Sequence, residues 1–185
     1  MPTALRIQSI LGLPVLAQDG AKAGEVTDVW FGEQWQLAGV VLKARFGYGK
    51  TRRTVRWHDV LTYGEDALLI EGRQSVTKID KNSMPRAFVS GTVRLKDMPV
   101  YTVSGLHLGK VTDVYFKAPE GTPLIGFELT DGFLSDLLEG RRRLMLPEGP
   151  EPVTIGEHAI MVPESYERVW MRDKREMRKV TGDEG

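Results

Sequence analysis

The stretch LPVLAQDGAKAGEVTDVWF at residues 13–31 recurs as MPVYTVSGLHLGKVTDVYF at residues 98–116. The two copies align without a gap at an offset of 85 residues, and nine positions are identical. Self-similarity of this kind marks a structural unit that the chain uses more than once. The sequence therefore predicts two copies of one small unit.

The composition is that of an ordinary globular protein, with 41% hydrophobic and 27% charged residues among 185. The 25 basic and 25 acidic residues give a formal net charge of zero, so no global field directs the chain to nucleic acid or a membrane. The absence of cysteine excludes disulfides and thiolate metal ligands. The apolar run at residues 10–16 is short and interrupted by Gly12 and Pro14, so we expect a cytoplasmic protein without a membrane span.

Each copy of the repeat has the pattern of a β-hairpin. Its turn is Asp-Gly in the first copy and Ser-Gly in the second, and glycine accepts the positive φ of such turns. A further glycine lies at the entrance of the longer strand, which is typical of a bulge or a close backbone approach. The structural positions of the repeat are predicted to be Gly20, Gly24, Asp28, Gly105, Gly109 and Asp113.

The similarity continues after the hairpin. Residues 37–42 match 124–129, and residues 61–70 match 153–162. Short strands with evenly spaced turns predict a small barrel or sandwich in each half, and barrel closure would remove exposed edge strands. The tail alone has helical spacing, with Ser165 as a suitable N-cap.

The predicted fold is mainly β, with two tandem small barrels and a C-terminal α-helix. The predicted domains are residues 1–75 and 91–163, with a linker at 76–90 and the helix and tail at 164–185. Residues 87–95 are expected to add a strand to the second domain. The apolar face of the terminal helix predicts packing on a barrel or on a second chain, and the second case would make the protein a homo-oligomer.

Both halves resemble the PRC-barrel domain. The resemblance rests on the pattern Gly-x-x-x-Gly-x-Val-x-Asp in both copies and on the Gly-Glu-Asp hairpin before an apolar strand in the first. In the first half the matching residues are Gly12, Pro14, Val15, Asp19, Gly20, Gly24, Val26, Asp28, Val29, 57–60 and 64–70. In the second half they are Met98, Pro99, Val100, Gly105, Gly109, Val111, Asp113 and Val114.

PRC-barrel domains occur in the cytoplasmic part of the photosynthetic reaction centre H subunit and in the C-terminal half of the ribosome maturation factor RimM. The resemblance implies two tandem PRC-type barrels and an adaptor module that binds a protein partner. No transmembrane helix of the H-subunit type and no RimM-type N-terminal domain is recognised before the first barrel, so neither specific role is expected.

Candidates for catalysis or metal binding are weak in this sequence. Asp28 and Asp113 form a duplicated acid that suits either a shared proton or cation or, more simply, a structural hydrogen bond in each barrel. Residues 44–51 fit a relaxed phosphate-loop pattern, but strand-like residues follow where a helix is needed. No histidine has a second ligand at helical spacing. We expect no enzyme activity, no cofactor and no metal site.

The strongest local feature is a run of six basic residues without an acid between residues 43 and 58, with Phe46, Tyr48 and Trp57 interleaved. Cations attract phosphates and aromatic rings stack on bases, so the run suits single-stranded RNA. The alternatives are an acidic protein partner, or an exposed hairpin whose arginines pair with acids elsewhere. The candidate binding residues are Lys43, Arg45, Tyr48, Lys50, Arg52, Arg53 and Arg56. The predicted function is non-catalytic protein–protein interaction, with RNA- or ribosome-associated binding through this hairpin as the alternative.

Overall fold

The structure, a computed structural model, describes residues 4–46, 49–117, 124–132, 140–146 and 153–166. Strands dominate these residues, and the predicted mainly β class is confirmed. The α-helix α1 spans Ile7–Ile10. The predicted C-terminal helix and its oligomer interface lie almost entirely outside the described residues. No helix in the described part of the chain is long and apolar enough to cross a bilayer.

Nine strands form the first sheet. They are β2 (Pro14–Ala17), β3 (Lys22–Phe31), β4 (Leu37–Leu42), β5 (Thr51–Arg56), β6 (Val60–Tyr63), β7 (Leu68–Ile70), β8 (Val76–Asp80), β9 (Arg86–Ala87) and β10 (Val93–Arg94). Their order is β6-β7-β2-β3-β4-β5-β8, with β9 paired to β3 and β10 paired to β9. Single turns of 3-10 helix lie at Trp57–Asp59, Arg73–Ser75 and Lys81–Ser83.

Seven strands form the second sheet. They are β1 (Ala4–Arg6), β11 (Pro99–Thr102), β12 (His107–Lys117), β13 (Leu124–Thr130), β14 (Arg142–Met145), β15 (Thr154–Ile155) and β16 (Ile160–Val162). Their order is β14-β13-β12-β11-β16-β15, with β1 paired to β12.

The two copies of the repeat form hairpins with the same register. Val15 lies opposite Gly24, and Val100 lies opposite Gly109, with a register shift after each valine. Gly109 has φ +134°, where a side chain would be strained and would meet the Thr130 carbonyl oxygen at 2.7 Å. The glycine at the strand entrance therefore accompanies a bulge in both copies, as the sequence predicted.

Neither sheet closes into a barrel within the described residues. The hydrogen-bonded order ends at β6 and β8 in the first sheet and at β14 and β15 in the second, so the sheets are curled half-barrels. In the first sheet, β5 pairs along its free side with β8 rather than with β6. The strand β8 therefore covers the edge of β5 that barrel closure was expected to cover.

This added strand comes from the segment predicted to be a linker. All five residues of β8 pair with β5, and its Val76 and Ile79 are partly buried. Farther on, Ala87 of β9 pairs with Trp30 of β3. Residues 76–94 thus contribute three strands to the first sheet, and β9 and β10 do not join the second sheet as the sequence predicted.

The chain segment that precedes each repeat, which we call its lead segment, pairs in the sheet of the other repeat. Arg6 of β1 pairs with Tyr115 of β12, and Ala87 of β9 pairs with Trp30 of β3. Trp30 and Tyr115 are equivalent positions of the repeat. Each lead segment therefore pairs with the long strand of the other repeat.

The chain divides into two compact units. The first comprises Met1–Leu95 with Asp113–Ile125, and the second comprises Lys96–Thr112 with Gly126–Gly185. The core of the first unit includes the fully buried side chains of Val15, Val29, Val40, Val55, Leu68, Ile70 and Phe88. The core of the second includes Val100, Val111, Phe127, Ile160 and Val162, which are also fully buried.

Candidate anion-binding site

The repeated acid Asp28 is a buried hydrogen-bond acceptor. Its carboxylate accepts from the backbone N–H groups of Val29 at 2.8 Å, Val89 at 2.9 Å and Ser90 at 2.9 Å. The Ser90 hydroxyl also donates to it at 2.6 Å. Asp28 therefore holds the segment that leads into the second repeat.

Its counterpart Asp113 has the matching role. The buried carboxylate accepts from the backbone N–H of Val114 at 2.8 Å and that of Gln8 at 3.0 Å. Arg6 Nε donates to it at 3.0 Å and forms an ion pair. Both acids thus have the hydrogen-bonding role that the sequence favoured over an acid/base or metal role.

The three histidines are exposed and lie in separate surroundings. His58 Nε2 lies 3.4 Å from a carboxylate oxygen of Asp59, with 72% of the His58 side chain exposed. The ring of His107 packs against Tyr101 with centroids 4.9 Å apart. Within the described residues, no three histidine or acidic side chains gather at metal-binding distance.

A concave basic surface lies in the first unit, and we call it the basic cleft. It consists of two adjoining cavities, of about 220 and 280 Å³, that share Ala23, Arg45 and Arg53. The cations that line it are Lys22, Lys43, Arg45, Arg53, Arg73 and Lys78. Glu25 lines the larger cavity, whereas no acid lines the smaller one.

The sheet places two of these cations directly opposite each other. Arg53 of β5 pairs with Lys78 of β8 in the antiparallel ladder. Like charges at directly opposite positions destabilise a sheet. Within the described residues, none of the six cations of the basic cleft forms an ion pair with a carboxylate. The cleft therefore carries positive charge that a bound anion would compensate.

Arg53 is the best-positioned cation of the cleft. Its Nη2 donates to the Ala23 carbonyl oxygen at 2.6 Å, which ties the guanidinium to β3. Gly24 lies beside it, and a Cβ at this position would make an ordinary contact with Arg53 Nη1 at 3.5 Å. Burial, and secondarily the charge of Arg45, lower the pKa of Arg53 from its ordinary value. An anion bound beside it would oppose both effects, because an opposite charge nearby favours the charged form.

The structure separates the basic residues that sequence analysis grouped. Lys43, Arg45 and Arg53 line the basic cleft, whereas Arg52 points to the opposite face of β5. There Arg52 lines a different cavity of about 260 Å³, together with Lys81, Asn82, Met84, Val41 and residues 90–92. Of the remaining candidates, Lys50 and Arg56 are exposed and do not line the cleft, and Tyr48 lies outside the described residues.

Three cations of the cleft were absent from the predicted patch. Lys22, Arg73 and Lys78 lie far from residues 43–58 along the chain and approach them only through the sheet. Lys78 lies in β8, whose Val-Thr-Lys-Ile sequence is compatible with a strand. This strand-like sequence within the predicted linker was the signal that could have placed Lys78 in the sheet.

The aromatic residues of the predicted patch are also separated. Phe46 is 94% exposed beside Arg45. Trp57 instead packs against Tyr63, with ring centroids 5.9 Å apart. Among the described aromatics of the run, Phe46 is therefore the one that is presented fully to solvent.

The fold and the cleft define a tandem β protein with an anion-attracting surface on its first unit. The PRC-barrel domain model matches residues 2–76 and again residues 91–169. The chain therefore belongs to the PRC-barrel family as a tandem pair, which confirms the resemblance seen in the sequence. Comparison with curated proteins gives no match.

Proposed function

We propose that this protein is a non-catalytic adaptor that binds an acidic segment of a partner protein in the basic cleft. The observation that carries the proposal is the smaller cavity, where Arg45, Arg53, Arg73 and Lys78 converge without an acidic lining residue. Clusters of arginine that recognise acidic or phosphorylated segments are a recurring mode of peptide binding.

The positions of the acids support a binding role. The acids that the repeat duplicates hold backbone segments: Asp28 binds Val89 and Ser90, and Asp113 binds Gln8. Their hydrogen bonds occupy them in the scaffold, whereas none of the six cations of the cleft is an identical position of the repeat. The basic cleft therefore offers a ligand positive charge that attracts anions, and it does not present a nucleophile beside a base.

RNA binding is the second candidate, and Phe46 favours it. An exposed ring beside a cationic cleft is suited to stacking on an unpaired base. Against RNA, Arg52 and Arg53 lie on opposite faces of β5, so one strand of RNA cannot contact both in the cleft.

The proposal predicts charge-specific binding. A fluorescent peptide rich in glutamate and aspartate should bind the wild type at low salt. The variant Arg73→Gln/Lys78→Gln should bind it at least about a hundredfold more weakly, since two hydrogen bonds between charged groups are lost and each is worth about 1.5–3 kcal/mol. Fluorescence anisotropy measures the affinity. Neither side chain is needed for a hydrogen bond in the sheet, so folding should be retained.

The matched control is Lys50→Gln/Arg56→Gln, which removes the same charge from exposed positions outside the cleft. Equal weakening in the control would contradict the proposal, because binding would then depend on net charge alone. Tighter binding of a single-stranded RNA that is lost with Phe46→Ala would instead favour the RNA candidate.

A further inference from the structure

We infer that the smaller cavity of the basic cleft is a phosphoryl subsite that takes a phosphorylated side chain of the partner protein. The inference rests on the proposed function and narrows its ligand from an acidic segment to a phosphorylated one.

The charge of the cavity favours a dianion. Its lining contains four cations and no acid. A carboxylate side chain brings one negative charge, whereas a phosphorylated serine or threonine brings about −1.5 to −2 near neutral pH, with three strong acceptor oxygens. The phosphoryl group therefore compensates more of the repulsion within the cavity than a glutamate does.

The size of the cavity favours a group rather than a whole cofactor. Its volume is about 220 Å³, below the roughly 300–1,000 Å³ of sites that hold drug-sized ligands. The uncharged lining consists of Ala23 and Val76. These small apolar residues leave room for the carbon atoms that carry a phosphoryl group, and their side chains carry no acceptor that would repel it.

The subsite is partly preorganised. Arg53 is held by its bond to the Ala23 carbonyl oxygen, and Lys78 is held opposite it by the β5–β8 ladder. Arginine forms two parallel hydrogen bonds with a phosphate, so a guanidinium that is already positioned loses less freedom on binding. Arg45 and Arg73 belong to the chain segments before β5 and β8, and they add two further hydrogen-bond donors to the lining of the cavity.

The adjoining cavity indicates that the phosphoryl group belongs to a peptide. It has a volume of about 280 Å³, shares Arg45 and Arg53 with the smaller cavity, and adds Lys22, Lys43 and Glu25. This continuation provides space for the residues next to a phosphorylated side chain. An isolated ion would leave it empty.

The test compares four small probes on the full chain by isothermal titration, with amide chemical shifts of Arg53 and Lys78 as the site readout. The probes are N-acetyl-O-phosphoserine amide, N-acetylglutamic acid amide, inorganic phosphate and a single-stranded RNA oligonucleotide. Capped phosphoserine should bind at least about tenfold more tightly than capped glutamate, since one added charge-assisted hydrogen bond suffices for that ratio. Arg73→Gln should remove most of this preference.

The control is Arg52→Gln, which removes a neighbouring charge on the opposite face of β5 and should leave the preference unchanged. Equal affinity for capped glutamate and capped phosphoserine would overturn the phosphoryl subsite. The proposal that the cleft binds an acidic segment of a partner protein would remain valid. Failure of both capped probes and of the acidic peptide would overturn the proposed function as well.

Three other results would also overturn the subsite as assigned. Tighter binding of inorganic phosphate than of capped phosphoserine would make the free ion the ligand. A loss of preference in Arg52→Gln equal to that in Arg73→Gln would place the phosphoryl group elsewhere. Tighter binding of the RNA, weakened by Phe46→Ala, would assign the cleft to nucleic acid.

Discussion

Replacing Asp28 with alanine is expected to lower the free energy of unfolding by about 3–5 kcal/mol, because the buried Val29 N–H loses its acceptor at a cost of about 1–3 kcal/mol and three part-buried donors each lose less. The buried carboxylate accepts from the N–H groups of Val29, Val89 and Ser90 and from the Ser90 hydroxyl. Removing it leaves these donors without their acceptor and releases the segment that leads into the second repeat.

Urea denaturation measures the loss, and hydrogen exchange localises it. The amides of Val89 and Ser90 should exchange much faster in Asp28→Ala, whereas Asp28→Asn, which keeps one acceptor oxygen, should have an intermediate effect. Asp19→Ala is the control. Asp19 is exposed and caps a turn by accepting from the Ala21 N–H at 2.9 Å, so we expect a loss within about 1 kcal/mol. An Asp28→Ala protein as stable as the control would refute the role assigned to this acid.

The variant Gly39→Ala should lose about 3 kcal/mol of stability, the upper part of the range for overpacking a core. Gly39 pairs with Trp30 across β3 and β4, and the indole lies over the glycine. A methyl group there would overlap the Trp30 ring and the Val55 carbonyl oxygen. The ring cannot easily withdraw, since Trp30 is 7% exposed and packs with Val41, Met84 and Ala87.

Gly64→Ala is the matched control for this prediction. Its added Cβ would meet the Ala67 carbonyl oxygen at 3.5 Å, an ordinary contact, and its φ lies outside the left-handed region. Thermal unfolding of both variants should therefore show a much larger drop in Tm for Gly39→Ala. If the two drops are equal, the close approach of Trp30 to Gly39 does not limit the packing of this sheet.

Much of the scaffold could be predicted from residues that are near each other in the chain. The turn at Gly20 and the bulge at Gly24 follow from glycine at fixed offsets within one hairpin, and the second copy repeats them at Gly105 and Gly109. A short polar side chain in an apolar strand needs a hydrogen-bond partner, which is why the sequence favours a structural hydrogen bond for Asp28 and Asp113.

Long-range pairing could not be predicted in the same way. The sequence of β8 is short and polar enough to resemble a linker, and only its partner β5 makes it a strand. The local sequence also does not predict that each lead segment pairs with the other repeat. The strands β1 and β9 are only three and two residues long, too short for a recognisable strand pattern. Their positions depend on the carboxylates of Asp113 and Asp28, which lie 105 residues from Gln8 and 61 residues from Val89 along the chain.

Sequence alone was sufficient for the tandem β architecture and the PRC-barrel family, because duplication, turn glycines and alternating strands are local properties. The tertiary structure determines which charged side chains lie close together. Alternation along β5 sends Arg52 and Arg53 to opposite faces, while the β5–β8 ladder brings Lys78 to Arg53 across twenty-five positions of chain. A binding site formed by strand pairing depends on register, and register is determined only when distant segments pack together.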